Sequence, residues 1–160
     1  MNNKKYISLS IDDAKAEYLQ HDTDKWRLAF FDKTKGGYLV VAKRRIEQGN
    51  VNKQEQAKYA KEYAMCQTLA ENGYRVEYLE IKENSFDVYL NGVNAELKKT
   101  AGGGNVVKYA KKALREQGAE IIVFEFDSNT KKIQEELDKL KRMGIKVCYY
   151  FTNDKKIHRL

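Results

Sequence analysis

Two acidic residues and one lysine surround an Asn-Gly pair in the middle of the chain, and their spacing could support metal chemistry. Asp87 precedes Asn91-Gly92, whereas Glu96 and Lys98 follow it. Residues two apart in a strand point to the same face, so Glu96 and Lys98 should share one. Asn-Gly favours a two-residue type I′ turn, which would place Asp87 opposite Glu96 on that face. The spacing therefore predicts a patch where two carboxylates and one ammonium group converge.

Two carboxylates that face each other repel unless a cation lies between them. Oxygen ligands of this charge suit Mg²⁺ or Mn²⁺, with Zn²⁺ as a further option. A lysine beside such a cation can orient or deprotonate a water, or neutralise charge that develops on a phosphate. Asp87 and Glu96 are thus the predicted metal ligands, and Lys98 is the predicted catalytic lysine. The alternative is a cross-strand Glu–Lys pair on a solvated face.

A basic segment follows these residues directly. No acidic residue occurs from position 98 to position 115, and four of the basic residues fall on one stripe of a predicted helix. The backbone N–H groups at the start of that helix, after the glycines at 102–104, would attract a phosphate. The predicted substrate-binding residues are Lys99, Asn105, Lys108, Lys111, Lys112 and Arg115. The alternative is a solvated face opposite the apolar stripe of Val107, Ala110 and Leu114.

Composition indicates the kind of partner. The chain has 160 residues, 42% of them hydrophobic, and a formal net charge of +7, which favours a polyanion and above all nucleic acid. No apolar run approaches the length of a membrane span, and the first nine residues are polar, so we expect neither membrane insertion nor a secretory signal. A cytoplasmic location is the expectation. Two distant cysteines argue against a disulfide framework or a structural zinc site.

The periodicity of apolar residues predicts a helix, a three-strand meander, then helix, strand, helix and strand. The predicted segments are helices at 52–73, 106–116 and 130–143, and strands at 74–81, 86–90, 93–98, 120–126 and 145–151. A capping box at 10–13, a short helix at 11–19, and strands at 26–31 and 38–42 precede them, and a last short strand is predicted at 157–160. This order predicts an α/β (α+β) fold with a mixed sheet. The polar loop at 48–52 predicts a boundary between an N-terminal extension, 1–51, and a core domain, 52–160.

Asp87 followed by Glu96-Leu97-Lys98, behind a helix that carries Glu62, resembles the PD-(D/E)xK nuclease superfamily, the restriction-endonuclease-like fold. The likeness covers residues 52–151 and is greatest to the C-terminal tRNase modules of contact-dependent growth inhibition toxins and to related phage and mobile-element modules. It departs from the motif at Phe86, where the family often has proline. The resemblance implies that Glu62 is an additional helical acid that contributes to the metal site. It also implies a preference for tRNA over DNA and an acidic immunity protein as a partner.

The spacing around Glu62 is compatible with that role. Met65, Cys66 and Leu69 follow it at helical spacing, so Glu62 belongs to a partly apolar face where an acid needs a partner. The alternative is an ordinary solvated helical glutamate.

The predicted function is a metal-dependent endonuclease that hydrolyses phosphodiester bonds in nucleic acid. Two alternatives stay open. One is a nucleic-acid-binding module with a vestigial site. The other is a metal-independent ribonuclease, which two histidines remote from the motif, His21 and His158, make less favourable.

Overall fold

The computed structural model describes residues 9–160, within which five helices and eight strands form an α+β fold with mixed strand pairing. The predicted fold class is thereby confirmed. The expectation that the first nine residues are not a secretory signal falls almost entirely outside the described residues. Among the residues described, no helix is both long and apolar enough to cross a membrane.

The described residues form two compact units. The first runs to Lys82 and includes Asp87–Val93, whereas the second contains Glu83–Phe86 and Asn94–Leu160. The elements of the first unit are α1 (Ile11–Gln20), β1 (Trp26–Phe31), β2 (Tyr38–Ala42), α2 (Lys43–Gln48), α3 (Lys53–Glu71), β3 (Arg75–Tyr78) and β4 (Val88–Leu90). Those of the second are β5 (Val93–Thr100, whose first residue belongs to the first unit), α4 (Val106–Glu116), β6 (Ile121–Phe126), α5 (Lys131–Arg142), β7 (Val147–Phe151) and β8 (His158–Arg159).

In the first unit the strands lie in the order β1-β2-β3-β4. The β1–β2 and β3–β4 pairs are antiparallel, and β2 and β3 are parallel. Segments on both sides of residue 51 thus build this part of the sheet, and the domain boundary at that point stays a prediction. The helices α1 and α3 begin where the sequence indicated, because Ser10 and Asn52 accept hydrogen bonds from backbone N–H groups three residues on.

Strand β3 places different chemistry on its two faces. Arg75 and Glu77 bind Glu17 of α1 and His21 at its C-terminal end, while the hydroxyl of Tyr78 binds Glu62 of α3. Side chains alternate along a strand, so the two helices cover opposite faces of β3.

In the second unit the order is β5-β6-β7-β8, with the first three strands parallel and β8 antiparallel to β7. Strand β6 lies between β5 and β7, and its sequence is mostly apolar. One face of it carries Ile122, Phe124 and Phe126, which pack in a common core with α4 and α5. Apolar residues of β6 and α5, Ile122, Phe124, Ile133, Leu137 and Leu140, are buried.

The predicted inward face of α4 was wrong by about one residue. The structure buries Val106, Ala110 and Ala113, whereas Val107 and Leu114 are only half-buried. Alanine lets a helix approach its neighbours closely, so the small residues face the core and the larger ones lie at its margin. Apolar residues at both 106 and 107, and at both 113 and 114, allowed either register in the sequence.

Helix α2 was absent from the sequence prediction, which gave a strand at 38–42 followed by a polar loop at 48–52. It has six residues and no side-chain cap at its start, so the usual signals of a helix are missing. Its importance is that it places Arg45 in the interior, with 0% of its surface exposed.

Candidate active site

The turn on which the predicted site depends is present. Strand β4 ends at Leu90, β5 begins at Val93, and Asn91 and Gly92 have φ angles of 51° and 78°. Positive φ at both central residues is the signature of a type I′ turn. The Asn91 side-chain oxygen accepts the Arg75 backbone N–H at 2.8 Å, and the Asn91 backbone N–H donates to the Arg75 carbonyl at 2.9 Å. These bonds anchor the turn to β3; that Asp87 faces Glu96 stays a prediction.

Two of the predicted acids, Glu62 and Asp87, lie in the first unit. Glu62 on α3 is 8% exposed, and Asp87 is half-buried just before β4, where its backbone carbonyl accepts the Leu79 N–H at 3.1 Å. Burial raises the pKa of Glu62, and the negative charge of Asp87 raises it further, although Tyr78 and Arg45 partly oppose both effects. The charge of Asp87 is therefore close enough to disfavour ionisation of Glu62.

Glu62 is surrounded by residues that the sequence did not single out. The Tyr78 hydroxyl donates to Glu62 Oε1 at 2.7 Å, and Arg45 Nη2 donates to the same oxygen at 3.3 Å. The Arg45 guanidinium lies 5.2 Å from the ring centre of Tyr59 and 5.1 Å from that of Tyr78. Arg45 follows two other basic residues, a pattern typical of a solvated surface, so nothing in the sequence marked it as buried.

The other two predicted catalytic residues, Glu96 and Lys98, lie on β5 in the second unit and share a face there. Their register partners on β6 are Ile122 and Phe124, on the side where α4 and α5 pack. Glu96 is 8% exposed, and the ammonium of Lys98 lies 4.2 Å from the centre of the Tyr109 ring on α4. An ammonium group at that distance is attracted by the negative face of the ring, so Tyr109 restrains the Lys98 side chain.

Lys99, predicted to contact substrate, lies on the opposite face of β5. Its ammonium is 3.2 Å from Glu125 Oε2, and Glu125 also accepts hydrogen bonds from the hydroxyls of Tyr150 and Thr152, each at 2.7 Å. Burial alone raises the pKa of Glu125, but the hydrogen bonds from Thr152, Tyr150 and Lys99 outweigh it and hold that pKa below its ordinary value. The role of Lys99 as a substrate contact stays a prediction.

The remaining predicted substrate contacts lie on or just before α4. Lys108, Lys112 and Arg115 are exposed and Lys111 is half-buried, and all four line one shallow depression. Asn105 is exposed, and its side chain makes no capping bond to the helix. The glycine loop before it is packed against α5, because a Cβ on Gly103 would lie 2.8 Å from the Ile133 backbone nitrogen.

The carboxylate oxygens of the first unit are ligands of the kind that a hard cation prefers. Across residues 9–160, no group of three or more His, Cys, Asp or Glu side chains is arranged to hold a metal ion. The charge of Asp87 nevertheless disfavours ionisation of Glu62, and a divalent cation would offset that charge. Burial and the charges of Glu62 and Asp87 raise the pKa of the Cys66 thiol, so this sulfur stays protonated at neutral pH and the available ligands are oxygens.

Comparison with solved structures found a chain with a similar fold. No protein-family model matches the chain, and the comparison with curated proteins gave no match. A chain of the CdiA-CT/CdiI toxin and immunity complex from Burkholderia pseudomallei superposes with a TM-score of 0.53 at 18% sequence identity. The match covers 69% of this chain and 89% of that chain. At this identity the likeness concerns the fold.

Proposed function

We propose that the protein is a metal-dependent nuclease of the toxin-module type. The observation that carries this proposal is the position of Lys98. It shares a face of β5 with Glu96, and its ammonium is restrained against α4, the helix whose exposed side carries Lys108, Lys112 and Arg115. A restrained lysine beside a row of phosphate-binding side chains suits the hydrolysis of a polyanionic backbone.

The predicted roles follow from the chemistry of each residue. Asp87 and Glu96 would hold the divalent cation, Mg²⁺ or Mn²⁺, and Glu62 would contribute as an additional acid. When bound, the cation supplies Lewis-acid activation of water and neutralises phosphate charge. Lys98 would position the attacking water or neutralise the charge that develops on the phosphate.

The basic residues would bind the substrate backbone without reading its sequence. Lys108, Lys111, Lys112 and Arg115 lie along α4, so they can follow successive phosphates, and Lys99 and Asn105 complete the predicted set. We favour tRNA over DNA as the substrate, because the sequence resembles tRNase modules of contact-dependent inhibition toxins. The fold likeness to a chain of a toxin and immunity complex supports the same class.

An inhibitory partner is part of this proposal. The similar structure is that of a toxin and immunity complex. A formal net charge of +7 would be complemented by an acidic protein, and charge complementarity accelerates association and improves its specificity. We therefore propose a small acidic immunity protein that covers the basic face of α4.

The decisive experiment is incubation with total tRNA, duplex DNA and single-stranded DNA, each with Mg²⁺, Mn²⁺, Zn²⁺ or EDTA. We expect cleavage of tRNA that requires a divalent cation and is lost in Asp87→Asn. Cleavage that persists in EDTA would contradict the metal requirement and favour a metal-independent ribonuclease. Salt-sensitive binding without cleavage in any metal would contradict the enzyme and favour a binding module.

A further inference from the structure

Arg45 is held in a way that stability alone does not explain. It is fully buried, yet its Nη2 atom pairs with Glu62 at a distance of 3.3 Å. Its Nε and Nη1 atoms make no hydrogen bond within the part of the chain that the structure describes. A buried pair with incomplete hydrogen bonding contributes little to folding compared with apolar side chains of similar volume. The arrangement therefore calls for a role other than stability.

The contacts around Arg45 fix one oxygen of Glu62. The Arg45 guanidinium and the Tyr78 hydroxyl both donate to Oε1, so neither of these bonds involves Oε2. Two donors on one oxygen restrict rotation of the carboxylate and define where the second oxygen lies. Outer contacts of this kind orient the ligands of metal sites.

The backbone preserves this geometry. A Cβ on Gly49, at the end of α2, would lie 2.8 Å from side-chain atoms of Tyr59. Glycine is therefore required for Tyr59 to pack where its ring contacts Arg45, with the stacked ring of Tyr78 5.7 Å away. Helix α2 thus delivers Arg45, and its terminal glycine leaves room for the ring that contacts it.

We propose that Arg45 is a positioning residue for the metal site. Together with Tyr78 it holds Glu62 Oε1, so that Oε2 is presented to the divalent cation. Arg45 touches neither the cation nor the substrate and acts only through Glu62. This role rests on the proposed function, since it requires that the protein bind such a cation.

The test measures Mn²⁺ binding by the full chain, with free Mn²⁺ quantified by electron paramagnetic resonance and calorimetry in parallel. We expect Arg45→Met to raise the Kd for Mn²⁺ about 10- to 100-fold, the range typical of outer-shell changes. Glu62→Gln should raise it at least as much. The double variant Arg45→Met/Glu62→Gln should show no loss beyond that of Glu62→Gln, because Arg45 acts through Glu62 alone.

Arg75→Met is the matched control. Arg75 is 7% exposed and binds both oxygens of Glu17 at 2.8 and 3.0 Å, so it is another buried Arg–Glu pair of the first unit. Its removal should lower the melting temperature but leave the Kd for Mn²⁺ unchanged. If Arg45→Met does not fold, Arg45→Lys keeps a charge and a donor, and an intermediate Kd is expected.

The outcomes separate the two proposals. Wild-type binding of Mn²⁺ with the same Kd in Arg45→Met, or in Arg45→Lys if only that variant folds, would overturn the positioning role and leave the proposed function intact. An equal loss in Arg75→Met, or additive losses in the double variant, would also overturn it. Failure of the wild-type chain to bind Mn²⁺ would overturn the metal-dependent function and the role of Arg45 with it.

Discussion

Two buried glutamates, one in each unit, have similar partners and yet their pKa values move in opposite directions. Glu62 accepts from the Tyr78 hydroxyl at 2.7 Å and from Arg45 at 3.3 Å; Glu125 accepts from the Tyr150 hydroxyl at 2.7 Å and pairs with Lys99 at 3.2 Å. The pKa of Glu62 is raised, whereas that of Glu125 is lowered.

Burial, which is the largest cause of the raised pKa of Glu62, accounts for part of the difference, and two neighbours add to it. Glu62 lies within the field of a second carboxylate, Asp87, which makes its own ionisation less favourable. Glu125 instead accepts a third hydrogen bond, from Thr152, which stabilises the charged form. The ionised state of Glu125 is thus satisfied by the protein, as in a structural network, while ionisation of Glu62 is disfavoured by burial and by the charge of Asp87.

The largest expected effect separates the two lysines of β5. Lys98→Ala should reduce single-turnover cleavage roughly 10²- to 10³-fold with little change in affinity, because it removes an interaction made mainly with developing charge. Lys99→Ala removes the cation beside Glu125, so it should instead lower the free energy of unfolding by about 1 kcal/mol and change the rate several-fold at most. Cleavage assays and urea denaturation check both results.

Lys112→Ala is the control for substrate binding. It should weaken binding and give a shallower salt dependence, with little change in the saturated rate. If Lys98→Ala and Lys112→Ala lose affinity and rate together, Lys98 is only another phosphate contact and its catalytic assignment is wrong.

The next effect concerns how stability depends on pH. The raised pKa of Glu62 means that its contribution to stability is present below the ordinary value of 4.5 and is lost as the pH rises to the folded-state pKa. Glu62→Gln should therefore gain stability relative to wild type as the pH rises. The lowered pKa of Glu125 gives the opposite sign: its contribution is present above 4.5 and is lost as the pH falls through the folded-state pKa.

Glu125→Gln should consequently be less stable than wild type at neutral pH, with the difference vanishing in acid. Each tenfold difference in proton affinity between folded and unfolded states corresponds to about 1.4 kcal/mol. Urea denaturation of the three proteins from about pH 3 to about pH 8 measures both slopes. If the stability difference from wild type changed with pH in the same direction for both variants, the opposite pKa shifts of the two glutamates would be contradicted.

A third prediction concerns the removal of the neighbours that distinguish these glutamates, Asp87 and Thr152. Asp87→Asn removes the nearby negative charge, so the pKa of Glu62 should fall toward its ordinary value. Thr152→Val removes one donor, so the pKa of Glu125 should rise, with about 1 kcal/mol of stability lost at neutral pH. Titration of the carboxyl carbons by NMR reports both values, and an unchanged pKa in either variant would show that burial or a different neighbour governs that glutamate.

The smallest effect comes from His21 in the first unit. Its ring binds Glu77 at 2.9 Å, and that hydrogen bond raises the pKa of the imidazole above its ordinary value of 6.5. The resulting stability is complete below that value and is lost as the pH rises through the folded-state pKa. We expect less than about 1 kcal/mol, since the pair is partly solvated.

His21→Gln should remove this dependence of stability on pH. Because the contributions of His21 and Glu62 are both lost as the pH rises, the Glu62 measurement needs a background without His21. The denaturation series repeated in a His21→Gln background should keep the slope assigned to Glu62. Loss of that slope together with the histidine would show that His21 had produced it.

The sequence was sufficient for the features that depend on neighbours along the chain. The strand at Trp26–Phe31, the N-terminal caps at Ser10 and Asn52, and the turn at Asn91-Gly92 all follow from local preferences, and the structure has each of them. Alternation along β5 also placed Glu96 and Lys98 on one face, because a strand allows no other arrangement.

The features that depend on distant neighbours could not be predicted. Arg45 is buried because Tyr59, Glu62 and Tyr78 converge on it, and these residues lie up to 33 positions away in the sequence. Tyr109 restrains Lys98 across the space between a helix and a strand. Apolar residues stand side by side at 106–107 and at 113–114, so the sequence does not show which side of α4 faces the core. That side depends on how closely the helix can approach its neighbours.

The alternation of β3 has a consequence for how this part of the gene can change. Strand β3 has only four residues, of which Arg75 and Glu77 contact residues of α1 and its C-terminal end, and Tyr78 contacts α3. The turn at Asn91 is also hydrogen-bonded to the backbone of Arg75. Insertion of a single residue before Val76 would move every following side chain of the strand to the opposite face. Substitutions in β3 can therefore be tolerated one at a time, whereas a one-codon insertion or deletion would disrupt both networks at once, so we expect the length of this segment to vary less among relatives than its composition.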